Sequence, residues 1–195
     1  ANTNHGIRFQ NGYIASGHRP SIINNTVFQE VGDAVRLESS SRDVVLRNNI
    51  LWVNAGHGVF AATDSQSNID SDRNLFTRGP DPSMPNVAAL TGFWNGADQA
   101  TLADWRTASS LGAGSVEGDP GFLDTDGADD VLGYTAAGAG FNGGLDDNFF
   151  QIGNSLAIDR GETWLAPATD ITGTSRLDDP STPNTGSEDY IEIDN

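Results

Sequence analysis

Three phrases of this chain repeat at nearly equal intervals. The stretches 21–28, 45–52 and 70–76 align on Asn25, Asn49 and Asn74, whose two spacings differ by a single position. Between them a second phrase recurs with the same spacing, as Ala34-Val35-Arg36-Leu37 and Gly58-Val59-Phe60-Ala61, and Gly6-Ile7-Arg8-Phe9 precedes the first of these by a slightly longer step. Ile7 and Phe9, Val35 and Leu37, Val59 and Ala61 are apolar at every second position, while Arg8, Arg36 and Phe60 alternate with them. That is the period of a strand with one buried face, not of a helix. A period in the low twenties built of short strands is the signature of a stacked repeat. No long helical stretch separates the phrases, so the expected architecture is all-β: a right-handed, single-stranded parallel β-helix solenoid of few coils, its hand taken from the crossover rule. The recurrent Asn fits the bend between sheets, because its amide bonds backbone there, it tolerates a left-handed φ, and stacked copies form an amide ladder.

The chain is expected to form one domain over residues 1–195: regular coils in 1–76, a long loop with a short helix in 77–118, closing coils and a C-terminal cap in 119–195. The N-terminal end reads as a cut: either the first residues fold over the exposed end, or a larger parent chain continues before it. In the middle segment Gly79-Pro80-Asp81-Pro82 and Met84-Pro85 interrupt regular structure, and the repeat is expected to stop. A helix is predicted over 101–108, with Thr101 as cap, Asp104 three positions on, and Leu102 and Trp105 on one face. Phe93 and Trp94 are expected to pack inward, the alternative being a ring offered to a sugar.

Charge narrows the partners. The net charge is -17, and all ten basic side chains are Arg, with no Lys. Such a surface repels nucleic acid and anionic membranes. No stretch is long and apolar enough for membrane insertion. Without Cys there is no disulfide framework.

Five further segments occur in a telling order: Ser71-Asp72-Arg73-Asn74-Leu75-Phe76, Leu102-Ala103-Asp104-Trp105, Gly118-Asp119-Pro120-Gly121-Phe122-Leu123-Asp124, Asn154-Ser155-Leu156-Ala157-Ile158-Asp159-Arg160-Gly161, and Asp170-Ile171-Thr172-Gly173-Thr174-Ser175-Arg176. This series resembles the C-terminal ends of bacterial secreted right-handed parallel β-helix proteins of the pectate-lyase-like superfamily. Two places depart from that pattern: Ser155-Leu156 stands where Ser-Pro is usual, and Ser187-Glu188-Asp189-Tyr190 replaces a Gly-Ala-Tyr-Glu ending. The resemblance implies a secreted or cell-surface bacterial protein, and it leaves lyases, epimerases, hydrolases and inactive modules all open.

Three constellations carry candidate chemistry. Asp124, Asp126, Asp129 and Asp130 surround Gly127 with carboxylates at the alternate positions that suit Ca²⁺, or else form an ordinary solvated turn. Alignment of the strands stacks Arg8, Arg36 and Phe60 outward, with His5, Asp33 and His57 beside them. Such a column would hold a uronate-containing or neutral polysaccharide lengthwise, or is a solvated stripe paired with Glu38. Asp159, Asp170 and Arg176 could form a carboxylate pair for glycoside hydrolysis, or pin the cap. The favoured expectation is a non-catalytic extracellular module for polysaccharide binding or rigid spacing, stiffened by Ca²⁺. The alternative is a polysaccharide lyase or glycoside hydrolase working along Arg8, Arg36, Phe60 and His57.

Overall fold

A computed structural model describes residues 5–12, 19–135, 141–175 and 180–186. The first strand, β1 (His5–Gln10), is followed by two groups of three: β2 (Ser21–Ile23), β3 (Thr26–Val31) and β4 (Asp33–Glu38), then β5 (Val45–Arg47), β6 (Ile50–Ala55) and β7 (His57–Ala61). Next come β8 (Asp70–Asp72), β9 (Leu75–Arg78), β10 (Pro80–Asp81), β11 (Met84–Ala88), β12 (Leu90–Trp94) and β13 (Ala97–Gln99). The helix α1 (Leu102–Ser109) leads to β14 (Val116–Glu117), β15 (Phe122–Asp124), β16 (Tyr134–Thr135), β17 (Phe141–Asn142) and β18 (Asn148–Gln151). Among the described residues no helix is long and apolar enough to cross a membrane.

The repeat lays like strands side by side in parallel. Val35 lies opposite Ile7 and Val59, Phe28 opposite Trp52, and Leu46 between Ile22 and Ser71. Val35, Leu37, Leu46, Leu51, Val53, Val59 and Phe76 are fully or almost fully buried between the sheets. The alternation read in the sequence therefore sorts inward from outward residues correctly.

The amide file also forms. Asn49 Oδ1 accepts from the backbone N–H and side-chain amide of Asn25 at 3.0 and 3.1 Å, and Asn74 Oδ1 accepts the same two bonds from Asn49 at 3.0 and 2.9 Å. Ser115 Oγ then takes the Asn74 backbone N–H at 3.1 Å. Asn49 and Asn74 are buried, so water cannot replace these bonds. The left-handed residue at each corner is not the laddering Asn but the one before it: Asn24, Asn48 and Arg73, with φ of 60°, 57° and 55°. A second corner, unforeseen in the sequence, stacks hydroxyls: Ser41 N–H donates to Ser65 Oγ at 3.1 Å, and Gly12 N–H to Ser41 Oγ at 3.3 Å.

The expectation of a single right-handed parallel β-helix is corrected by the sheet organisation. Among the described residues the strands fall into six separate sheets of two to five strands, mixed parallel and antiparallel, with no closed solenoid. The orders are β1-β4-β7-β12-β13, β14-β9-β6-β3 and β2-β5-β8, followed by the pairs β10-β11, β15-β18 and β16-β17. Local turn chemistry supplies the reason. Asn95-Gly96, with φ of 53° and 78°, makes a tight hairpin that turns β13 back antiparallel on β12 and ends the parallel order of that sheet. Beyond β14 the Gly- and Asp-rich chain makes short antiparallel pairs and tight turns in place of further parallel strands.

Nor does the repeat stop at Thr77. Phe93 lies opposite Phe60 and Val116 opposite Leu75, so the interval between like strands lengthens while the parallel register holds. The extra chain forms the β10-β11 hairpin and α1. Pro80 and Pro85 are tolerated because the hairpin is a separate two-stranded sheet whose β11 is exposed along its whole length. The helix matches expectation: Thr101 and Asp104 form a capping box, and Leu102 and Trp105 are buried. Trp105 is fully buried, meets Trp94 edge-on at 5.5 Å, and leaves no room for a side chain at Gly92. The end of the expected C-terminal cap, residues 187–195, lies outside the described residues.

Replacing Asn49 by Leu removes the acceptor for the backbone N–H and amide of Asn25 and the donor to Ile22 O, and takes one of the two bonds from Asn74 Oδ1. Urea denaturation is expected to show a loss of about 3 kcal/mol, against about 1 kcal/mol for Asn25→Ala at the half-buried end of the file. Equal losses at the two positions would show that the file does not act as a buried unit.

Candidate functional site

The outward face of the five-stranded sheet brings the second constellation together. Strand register places Arg8, Arg36, Phe60, Phe93 and Asp98 in one file across β1, β4, β7, β12 and β13. Neighbouring strands lie ~4.8 Å apart, so the file is about 19 Å long. Arg36 sits over the Phe60 ring, 3.8 Å from its centroid, and Phe93 stacks on Phe60 at 4.5 Å with an interplanar angle of 10°. Because Arg36 and Phe93 belong to strands on opposite sides of β7, both faces of Phe60 are covered. Phe93, half-buried, is the aromatic at the end of the file where Asp98 stands opposite it in register.

Beside this file runs a chain of ion pairs. Arg36 Nη1 donates to Asp33 Oδ2 and Arg36 Nε to Glu38 Oε2, each at 2.7 Å, while Arg8 pairs with the other oxygen of Glu38. His57 bridges two carboxylates: Nδ1 is 2.7 Å from Asp33 Oδ1 and Nε2 is 3.1 Å from Asp98 Oδ1. Its ring also meets Phe60 and Phe93 edge-on, at 5.5 and 5.9 Å. His5 Nδ1 lies 3.6 Å from Asp33 Oδ2, outside hydrogen-bond reach.

Burial alone would push the His57 pKa down, but the hydrogen bonds to Asp33 and Asp98 outweigh it and hold the imidazolium above its ordinary value. Burial likewise disfavours the Asp33 carboxylate, and hydrogen bonds from His57 and Arg36 more than compensate, holding its pKa low. The bond from Arg36, with that from Arg8, lowers Glu38. With His57 protonated, three cations (Arg8, Arg36, His57) face three anions (Asp33, Glu38, Asp98), so the face is neutral as a unit.

Phe93 and Asp98 are the members that sequence reasoning missed. The sequence places Phe93 inside together with Trp94; Trp94 is buried, whereas Phe93 faces outward on the alternate position of β12. The signal for both is Asn95-Gly96, whose hairpin aligns Phe93 with Asp98.

The other two constellations do not converge. Among the described residues no group of three or more His, Cys, Asp or Glu is placed to hold one metal ion, so Asp124, Asp126, Asp129 and Asp130 form no such set. Asp124 ends β15, Gly127–Asp129 makes a 3-10 turn, Asp130 is left-handed, and Asp129 Oδ1 accepts from the Val131 N–H. Those contacts are the ones of a tight acidic turn. Asp159 binds Thr182 through its side chain and the N–H groups of Thr185 and Gly186 through its carbonyl, while Asp170 closes its own turn onto Thr172 and Thr174. Arg176 lies outside the described residues.

The raised His57 pKa sets a testable pH dependence. The imidazolium contributes stability fully below the unfolded value of about 6.5, and the contribution is lost as pH rises through the higher folded value. Melting temperature is therefore expected to fall as pH climbs from 6 through 9, and His57→Gln to flatten that decline. Asp33 contributes in the opposite sense, above its ordinary pKa, and loses its contribution as pH falls through the depressed one. No family model, curated protein or solved structure matches the chain, so nothing in these comparisons identifies a pectate-lyase-like protein.

Proposed function

We propose that this protein binds neutral glycan on the outward face of the five-stranded sheet, without turning it over, as a module of a larger secreted or surface protein. The observation that carries the reading is the half-buried Phe93 ring, stacked on Phe60 and opposite Asp98 in register, whose side chain is 61% exposed. A pyranose stacks its apolar CH face on such a ring, and a carboxylate next to it accepts the sugar hydroxyls. His57 fixes one oxygen of Asp98 and leaves the other for ligand.

Charge argues for a neutral ligand over a uronate. Arg36 commits Nε to Glu38, Nη1 to Asp33 and its face to Phe60, and Arg8 is paired with Glu38, so both cations are already neutralised by carboxylates of the protein. The whole chain, at -17, repels polyanions as well. The same pairing speaks against turnover. A β-elimination or hydrolysis needs a group free to take a proton, and Asp33 and His57 are bonded to one another, with Asp33 also bonded to Arg36 and His57 to Asp98. The acidic, Lys-free surface fits an extracellular setting rich in multivalent cations.

Affinity electrophoresis or titration calorimetry with neutral and uronate-rich polysaccharides tests the reading. Phe93→Ala and Asp98→Ala are each expected to weaken neutral-glycan binding roughly tenfold, about 1.4 kcal/mol. Arg8→Ala should change it less than about twofold, because that side chain is 50% exposed and lies three strands away. Preference for uronates lost with Arg8→Ala, or new reducing ends or unsaturated uronates on incubation, would overturn the proposal.

A further inference from the structure

A separate cavity of about 370 Å³ opens beside the four-stranded sheet, between Trp52, Thr77, Arg78, Gly79, Glu117 and Asp119. These residues come from β6, β9, β14 and the segment just after it, none of which contributes to the Arg36, Phe60 and Phe93 face. The cavity lies within the size range of small-molecule sites.

Its walls are fixed in advance. Phe122 stacks on Trp52 at 6.0 Å and 16°, Phe28 meets it edge-on at 5.2 Å, and its indole N–H donates to Asn54 Oδ1 at 3.0 Å. Gly79 packs tightly against this pair, since a Cβ there would stand 1.9 Å from Asn54 Oδ1 and 3.3 Å from the Trp52 indole nitrogen. Arg78 directs Nε and Nη2 to Glu117 Oε1 at 3.0 and 2.6 Å, and Glu117 Oε2 is held by Leu102 N–H and Thr91 Oγ1. The Arg78 fork is thus locked, with Nη1 engaged only at 3.4 Å by Ala89 O. Asp119 is exposed and accepts from Gly121 N–H through Oδ1, and its Oδ2 has no hydrogen-bond partner among the described residues.

One cation and two carboxylates leave this lining with a formal charge of minus one, which disfavours uronates and phosphates. What remains is an indole wall, a carboxylate acceptor and a guanidinium donor already in place, an arrangement that binds a polyol with little ordering cost. We propose that the cavity is a second sugar site, taking one neutral pyranose unit: hydroxyl protons are donated to Asp119, a hydroxyl oxygen accepts from Arg78, and the CH face lies toward Trp52. The inference borrows its ligand class from the glycan-binding reading, yet its residues are independent. With both sites filled, one chain bridges two glycan strands.

Nuclear magnetic resonance titration with neutral oligosaccharides of glucose, xylose, galactose or mannose units separates the two sites. In the unmodified protein, the Trp52 indole N–H and the amides of Gly118 and Asp119 are expected to shift saturably, as are the amides around Phe93. Asp119→Asn keeps an acceptor for Gly121, so the fold is retained; the sugar needed to shift the Trp52 indole should rise at least tenfold, with the Phe93 region unaffected. Phe93→Ala should leave the Trp52 titration within twofold. A Trp52 indole unmoved at saturating sugar, or an Asp119→Asn titration like that of the parent, overturns this site. Movement at Trp52 with none around Phe93 supports the second site while sinking the sheet-face reading, and the reverse pattern does the opposite.

Discussion

Everything else in this molecule depends on a buried line of side-chain amides. Each laddering Asn presents its Oδ1 to the backbone N–H and amide of the copy one repeat earlier, so a shift of one position in any strand would leave several buried polar groups unpaired. Hydrophobic burial alone opposes a slip of one, which turns the apolar face outward, but tolerates a slip of two, which keeps it inward. The amides do not, and they thereby help to fix which residues oppose one another in the parallel sheets that the repeat builds.

That fixed register places Arg36, Phe60 and Phe93 in one file and His57 between two carboxylates. The face is an electrostatically closed unit: each charged group meets an opposite charge, and the aromatic pair is wedged between them. Groups so tied have little freedom to exchange protons with a substrate but hold their geometry well, which is the property a binding surface needs. The polar cluster of Arg78 and Glu117 follows the same pattern on a different sheet, where it anchors the N-terminus of α1 as well as lining a cavity.

Much of this was legible in the sequence. The alternation in residues 33–38 and 57–61, and the spacing of Asn25, Asn49 and Asn74, point directly to the parallel register and the outward column of Arg8, Arg36 and Phe60. The capped helix with Trp105 is equally readable, since Thr101 and Asp104 are local signals. Failure came where a short turn overrode the long pattern. Asn95-Gly96 reverses the chain by its own φ preferences, and the even spacing of the Asn file carries no trace of it. Phe93 was hidden because its partner Phe60 lies well over one ordinary period back, behind an inserted hairpin. The acidic segment 124–130 takes the form of the tight turn that the sequence offered as one of two readings, with Asp129 accepting from the Val131 N–H and Asp130 left-handed.

The hairpin β10-β11 has a consequence for how such a chain can change. It leaves the stack after β9 and returns at β12, and the pairing of Phe93 with Phe60 is undisturbed by the detour. Corners of this kind act as expansion joints: chain can be added or exchanged there while the lattice of contacts on either side keeps its alignment, so a foreign peptide grafted between Asp81 and Met84 would be displayed without disturbing the scaffold.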